Sequence, residues 1–228
     1  MTRYDRSCYF LVVANTASTR ERILGKGLAL MSQSGLEGVT LGVLADRVGM
    51  SKSGLFAHFR SKEQVQIDLL EHTAEVGAAH IIAPSLNAPE GLPRLRALVR
   101  NWFGWAPRAG LPGGCPVAAG LFEFDDVEGP VRNKILEMEA EWRGLLTKTV
   151  SGATALGHLR ADLDVAQFVW ELCGIYLSHH AAQRFLRSPD ADRRAQTAFE
   201  ALIARAVPVS RKRRPQSTRK KPNRKEPR

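Results

Sequence analysis

The stretch Thr40-Leu41-Gly42-Val43-Leu44-Ala45-Asp46-Arg47-Val48-Gly49-Met50-Ser51-Lys52-Ser53-Gly54-Leu55-Phe56-Ala57-His58-Phe59-Arg60-Ser61-Lys62-Glu63 decides the fold. Leu41, Leu44, Ala45 and Val48 recur at helical spacing, and Thr40 just before them is a residue that caps a helix start. Gly49 tolerates the positive φ that ends a helix, and Ser51 caps the next one. Two short helices, expected over 41–48 and 52–59, are therefore joined by a tight turn containing glycine, the helix-turn-helix arrangement. In the second, Leu55 and Phe59 stand at i, i+4 and anchor it, which leaves Ser51, Lys52, Ser53, Gly54, Phe56, Ala57 and His58 largely outward. Small and hydroxyl residues at its start let the helix N-terminus approach a duplex, where free N–H groups and the positive dipole end suit phosphate.

Upstream, Ile23, Leu24, Gly27, Leu28 and Met31 fall on one face of a preceding helix. Charge singles out the same region. Of the 228 residues, those numbered 208–228 carry ten Lys or Arg and one Glu, so they hold +9 of the +10 net charge. Residues 20–62 hold +4, and the rest of the body is left at −3. A chain that is 44% hydrophobic with a nearly neutral body is neither wholly disordered nor histone-like. The basic end is expected to be a disordered polybasic tail that raises nonspecific affinity for DNA, or a solvated linker.

Beyond this region the pattern stays helical. Prolines in Ala83-Pro84-Ser85-Leu86-Asn87-Ala88-Pro89 predict a turn-rich joint, followed by a helix over about 91–105 that stops before Pro107. The loop Gly110-Leu111-Pro112-Gly113-Gly114 precedes another helix to about Phe124. Residues 130–150 carry an amphipathic pattern, with a break expected between Gly152 and Leu159, and either Asp162 or Asp164 suits the next N-cap. Val165, Phe168, Val169, Leu172, Cys173, Tyr176 and Leu177 then form a continuous stripe that Ser188-Pro189-Asp190 should end, and Ala195, Ala198, Phe199, Leu202, Ile203 and Ala206 form another. These two stripes can pack within one chain or against a second copy as a four-helix bundle; periodicity does not distinguish the two. No long segment alternates with period two, so the fold class is all-α.

Several chemistries are excluded or left without support. No apolar run is long enough to span a bilayer, and the short one over 8–14, after Arg3 and Arg6, leads into a charged helical pattern. Residues 1–18 are expected to be a flexible extension, or the product of an upstream start codon. Cys8, Cys115 and Cys173 make neither a disulfide framework nor a CxxC site, as in a reducing cytoplasm. Cys115 is read as an oxidisable sensor or, more simply, a small buried residue. His179 and His180 point to different sides of a helix, and His72, His80 and His158 lie elsewhere, so no metal is expected. Asp125-Asp126 reads as a solvated turn rather than an acid/base pair. With no Walker loop, G-x-S-x-G or HExxH, neither an enzyme nor a cofactor is expected.

The segment Thr40 to Glu63, with its closing Phe-x-Ser-Lys-Glu, resembles the DNA-binding signature of the TetR family of transcriptional regulators. The resemblance implies a three-helix helix-turn-helix domain, then a helical ligand-binding and dimerisation domain. It implies a homodimer, paired through the last two helices, whose reading helices enter successive major grooves roughly 34 Å apart. Carried over, Thr40, Ser51, Lys52, His58 and Lys62 match positions that touch phosphate, and Ser53 and Gly54 match positions near base edges. Phe56 is also placed at the DNA; it stands where a tyrosine is usual, so a phenolic hydrogen bond is missing. Thr40 and Ser51 also read as helix caps, and Phe56 as packing. Gly113-Gly114-Cys115-Pro116, Glu123-Phe124-Asp125-Asp126 and Gly129-Pro130-Val131-Arg132 resemble, less specifically, a segment of some of the family's ligand-binding domains. Trp102, Phe103, Trp105, Phe122, Trp142 and Tyr176 are the candidate pocket residues, with ordinary core as the competing reading of each.

The expected division is an extension over 1–18, the DNA-binding domain over 19–65, the ligand-binding and dimerisation domain over 66–207, and the tail over 208–228. The expected function is a cytoplasmic, nucleoid-associated regulator, a repressor released from a palindromic operator by a small-molecule effector. The alternative is a sequence-tolerant nucleoid-type protein in which the tail dominates binding.

Overall fold

The computed structural model describes residues 18–208. The expected extension and basic tail lie outside that range, save for Ser18 and Pro208. Every regular element among the described residues is helical.

Helix α1 (Thr19–Ser34) opens on a reciprocal cap: the Ser18 hydroxyl accepts from the Glu21 N–H, and the Glu21 carboxylate accepts from the Ser18 N–H. Ser18 thus belongs to the first helix. Ile23, Leu24, Leu28 and Met31 bury one face, and α1 ends at Gly35, whose φ of 74° is left-handed. Helix α2 (Leu41–Val48) is capped by Thr40 and closed by Gly49 at φ 72°. Helix α3 (Lys52–Phe56) is capped by Ser51 and is shorter than the expected 52–59. The chain tightens as the His58 N–H bonds to the Leu55 carbonyl at 2.9 Å, and Phe59 leaves the helix to enter the core. Leu55 and Phe59 still act as the anchors the spacing predicts.

Helix α4 (Lys62–Gly77) is capped by Ser61 and does not stop at the proline joint. It passes through a π-helical turn, Ala78–Ile82, into the single turn α5 (Ala83–Ser85) that contains Pro84. A proline inside a helix removes a donor and clashes with the carbonyl one turn back. The wider turn just upstream accommodates it.

The helix expected over 91–105 is divided: α6 (Leu92–Trp102) ends at an extended Phe103 and a left-handed Gly104 (φ 67°), then α7 (Trp105–Arg108) carries Pro107. Helix α8 (Pro116–Glu123) follows the glycine-rich loop. Helix α9 (Pro130–Ala155) runs through Gly152, because Val150 and Ala153 on either side are fully buried, and ends inside the expected break between Gly152 and Leu159. Their packing outweighs the roughly 1 kcal/mol that a mid-helix glycine costs. Asp164, not Asp162, caps α10 (Val165–Arg184), accepting from the Gln167 N–H at 3.0 Å. This helix stops four residues before Ser188, and Arg187 then takes a positive φ of 50°. Helix α11 (Ala191–Ala206) packs along α10.

One contiguous apolar core extends from α1 and α4 into the larger bundle of α6, α9, α10 and α11. The two ends are stitched by polar contacts as well. The Gly114 N–H donates to the Ser32 carbonyl at 2.8 Å and the Gly113 N–H to the Ser32 hydroxyl at 3.1 Å. Glu123 at the end of α8 accepts from the Glu37 N–H at 3.1 Å.

Candidate nucleic-acid interface and cavity

Thr40, Ser51, Lys52, Ser53, Phe56 and His58 are exposed on the α2–α3 surface, with Gly54 half-buried beside them. The hydroxyls already serve the fold: Thr40 accepts from the Val43 N–H at 3.2 Å, and Ser51 from the Gly54 N–H at 3.1 Å. Ser51 and Ser53 share a 3.1 Å hydroxyl contact. Each hydroxyl oxygen has further capacity, so capping does not prevent contact with a phosphate. Lys52 lies over Gly42, where an added Cβ would sit 3.2 Å from Lys52 Cε. That glycine gives the lysine its path, a role its place inside a helix did not suggest.

Lys62 is placed differently. Its Nζ is bonded at 3.0 Å to Glu37 Oε2. The Lys62 hydrogen bond holds the Glu37 carboxyl below the usual carboxylate range, against a smaller opposing effect of desolvation. Among the described residues, Arg47, Lys52 and Arg60 make no ion pair, so the cations left on this surface are those three. Arg20 is also committed inward: it pairs with buried Asp68 at 2.7 Å and lies 5.7 Å over the Phe59 ring.

A cavity of about 340 Å³ opens between α4 and its π turn, α6, α8, α9 and α10. Trp102, Trp105, Trp142 and Tyr176 line it. Phe103 instead packs behind Tyr176 against His179 and Phe199, and Phe122 is 65% exposed and outside the lining. Tyr176 stacks on Trp102 with centroids 4.0 Å apart, Trp142 meets Trp102 edge-on at 4.8 Å, and Trp105 Nε1 donates to the Tyr176 hydroxyl at 3.2 Å. Met138, Cys115 and Cys173 add polarizable sulfur that an aromatic inventory misses. Burial pushes the Cys115 thiol and the Tyr176 phenol up, and Cys173 to about 11, so these walls are neutral near pH 7.

A second, more polar cavity of about 440 Å³ lies on the other side of Trp105, Cys115 and Tyr176. His180, Arg184 and Arg187 face it, and burial, then Arg184 and His179, lowers the His180 pKa. His179 lines it too, with its Nε2 held 2.7 Å from Asp192 Oδ1.

Comparison with known proteins agrees with both halves of this arrangement. The family model described as "Bacterial regulatory proteins, tetR family" matches residues 23–68, and "Tetracyclin repressor-like, C-terminal domain" matches residues 91–199. The nucleoid occlusion factor SlmA of Escherichia coli (strain K12 / DH10B) is 31% identical over 178 residues, 76% of this chain and 88% of the relative. A TetR transcriptional regulator from Chloroflexus aurantiacus superposes with a TM-score of 0.72 at 24% identity, over 82% of this chain and 92% of that one. AibR, solved with isovaleryl coenzyme A and operator DNA, superposes at 0.64 with 20% identity, over 84% and 99%.

Proposed function

The chain belongs to the TetR family of DNA-binding regulators, and from that premise we propose that it is a repressor that binds a palindromic operator as a homodimer and leaves it when a small molecule enters the apolar cavity. The observation that carries this reading is the continuity between cavity and reading head. Cys115, Val117, Ala118 and Leu121 line the cavity, while Gly113, Gly114 and Glu123, which flank them in the chain, hold α1 and the start of the α2 segment. A ligand that binds one setting of α8 better than another therefore shifts the separation of two reading heads. We assign Thr40, Ser51, Lys52, His58 and Lys62 to phosphate, Ser53 and Gly54 to base edges, and Phe56 to the DNA face. Of these, Lys62 must leave Glu37 to reach it.

Pairing through α10 and α11 is supported by exposed apolar residues on α10 and in the turn just after it. Trp170 is 67% exposed, Phe185 86% and Leu186 68%, which is costly apolar surface for an isolated chain. Among the described residues no helix is long and apolar enough to cross a membrane. We place the protein in the cytoplasm, on the nucleoid. The test is footprinting of genomic fragments selected by the full chain. A protected palindrome bound by two chains is expected; random coverage would overturn the reading.

Likeness to a nucleoid occlusion factor favours a second reading, a nucleoid-associated protein. Salt titration separates it from tail-driven, sequence-blind binding, which weakens steeply and equally on all DNA.

A further inference from the structure

We propose that the polar cavity beside Trp105 is a binding site for a small organic oxyanion, a carboxylate or a phosphate monoester, held by the guanidinium groups of Arg184 and Arg187 with His180 beside them. The site is separate from the apolar cavity, which lies across the wall formed by Trp105, Cys115 and Tyr176, and it does not depend on the effector reading. No carboxylate lines this space, and among the described residues neither Arg184 nor Arg187 makes an ion pair. The acids at the start of α11 are engaged elsewhere. Asp192 accepts from Gln183 at 2.8 Å and lies 2.7 Å from His179 Nε2, while Asp190 pairs with Arg193 at 2.7 Å and with Arg194 at 3.4 Å. The body outside residues 20–62 and the basic end carries −3, so two unpaired arginines beside a histidine are a local exception in it.

The cations are both accessible and positioned. Arg184 and Arg187 are exposed, and His180 is half-buried. The glycine-rich loop lies against two of them: a Cβ on Gly114 would stand 2.7 Å from His180 Cε1 and 2.8 Å from Arg184 Cδ. Past the end of α10, Arg187 takes a φ of 50°, the one non-glycine residue with a positive φ among the described residues, and the turn it makes brings it to the cavity wall. Like charges gathered around one space repel until an anion joins them, and a guanidinium fork matches two oxygens of a carboxylate or phosphate. At about 440 Å³ the space exceeds a bare ion, and Trp105, Leu111 and Pro112 offer apolar wall to an organic body. His180 adds a dependence on pH. Burial, then Arg184 and His179, hold its pKa below the usual histidine value. An anion beside Arg184 offsets that repulsion and favours the imidazolium, so it binds tighter as pH falls. Of the other titratable groups around it, Cys115 and Tyr176 are kept neutral by burial, and Asp192 of α11 lies against His179.

Isothermal titration of the full chain with benzoate, phenyl phosphate and benzamide tests the proposal. Benzamide has the shape of benzoate without its charge, and the tighter of the two anions should bind about tenfold better than it. Whichever anion is tighter names the source, carboxylate or phosphate monoester, and either supports the site. Arg184→Gln with Arg187→Gln should erase the preference for that anion, whereas binding in the apolar cavity would leave it intact. From about pH 7.5 to 5.5 its affinity should rise several-fold more in the unaltered chain than in His180→Gln, a comparison that cancels the titration of the ligand itself. Benzamide binding as tightly as both anions, no binding of any of the three, a preference that survives the double variant, or the same pH dependence with and without His180 would overturn the proposal. The first two outcomes are read on the unaltered chain and need neither variant to fold.

Discussion

Lys52 stretches over the bare Cα of Gly42, whereas Lys62 is held by Glu37. The first is available to a phosphate without breaking anything, and the second must exchange one anion for another. Lys52→Ala should therefore flatten the dependence of log affinity on log salt by about 0.9 per chain, or about twice that for a dimer, while Lys62→Ala should change it less. Equal slopes for the two variants would contradict these placements. Replacing Lys52 and Ser53 together should abolish operator discrimination and leave the dimer intact, as read by footprinting beside sedimentation. The cap roles predicted for Thr40 and Ser51 follow from residue type and position, and the structure shows both. The Lys62–Glu37 bond was not legible, because it joins positions whose proximity depends on how α4 crosses the end of α1. His180 supplies a prediction in pH. Its folded-state pKa is lowered, mainly by burial, so below about 6.5 the unfolded chain binds the proton more readily and stability falls with pH. His180→Gln should remove that part of the acid sensitivity in thermal melts followed from about pH 7 to 5.

At the scale of elements, the join between the two ends of the chain is made where glycine lets backbones touch. A Cβ on Gly113 would lie 1.7 Å from the Ser32 carbonyl oxygen, so the loop must move to admit one. Gly113→Ala should cost about 1–3 kcal/mol in urea unfolding and lower operator affinity as well, since it displaces the loop from α1. An unchanged midpoint would show that the loop is free to shift. The existence and order of the helices could be read from caps and periodicity, and their ends less well. Pro84 looked like a stop but is absorbed by the π turn, and Gly152 looked like a break but is carried by the burial of Val150 and Ala153. Tertiary packing decided both, and a local pattern does not contain it. The division of α6 from α7 at Phe103 and Gly104 is the reverse case, a break inside the single helix expected over about 91–105. It matters to the cavity because it aims Trp102 and Trp105 into the lining while Phe103 turns to the core.

For the whole molecule, periodicity left open whether the two terminal stripes pack within one chain or against a second copy, and the structure shows them packed within one chain. Their inner faces, with Phe168, Leu172, Phe199 and Leu202, fill the core of that chain, while Trp170 on α10 and Phe185 and Leu186 in the turn after it stay exposed, where we propose that a partner packs. Trp170 was missed because it falls off the stripe that the helical period marked, and Phe185 and Leu186 because the helix stops at Arg184, short of the expected end at Ser188. Changing Trp170 and Phe185 together to Glu should yield monomers in sedimentation that keep their helical content but lose operator binding; a stable dimer would place the pairing face elsewhere. The charge has parts with distinct duties: a local surface on α2 and α3, and a basic terminus expected to strengthen binding without choosing sequence. Deleting residues 208–228 should weaken binding to all DNA about equally, and an altered sequence preference would show that they read bases. The most direct test of the account is the affinity for the selected palindrome relative to a scrambled duplex of equal length, measured from about 50 to about 200 mM salt. A ratio that stays near or above about 10³, with two chains per palindrome, is the expected result. A ratio close to one, with both affinities falling together, would contradict it.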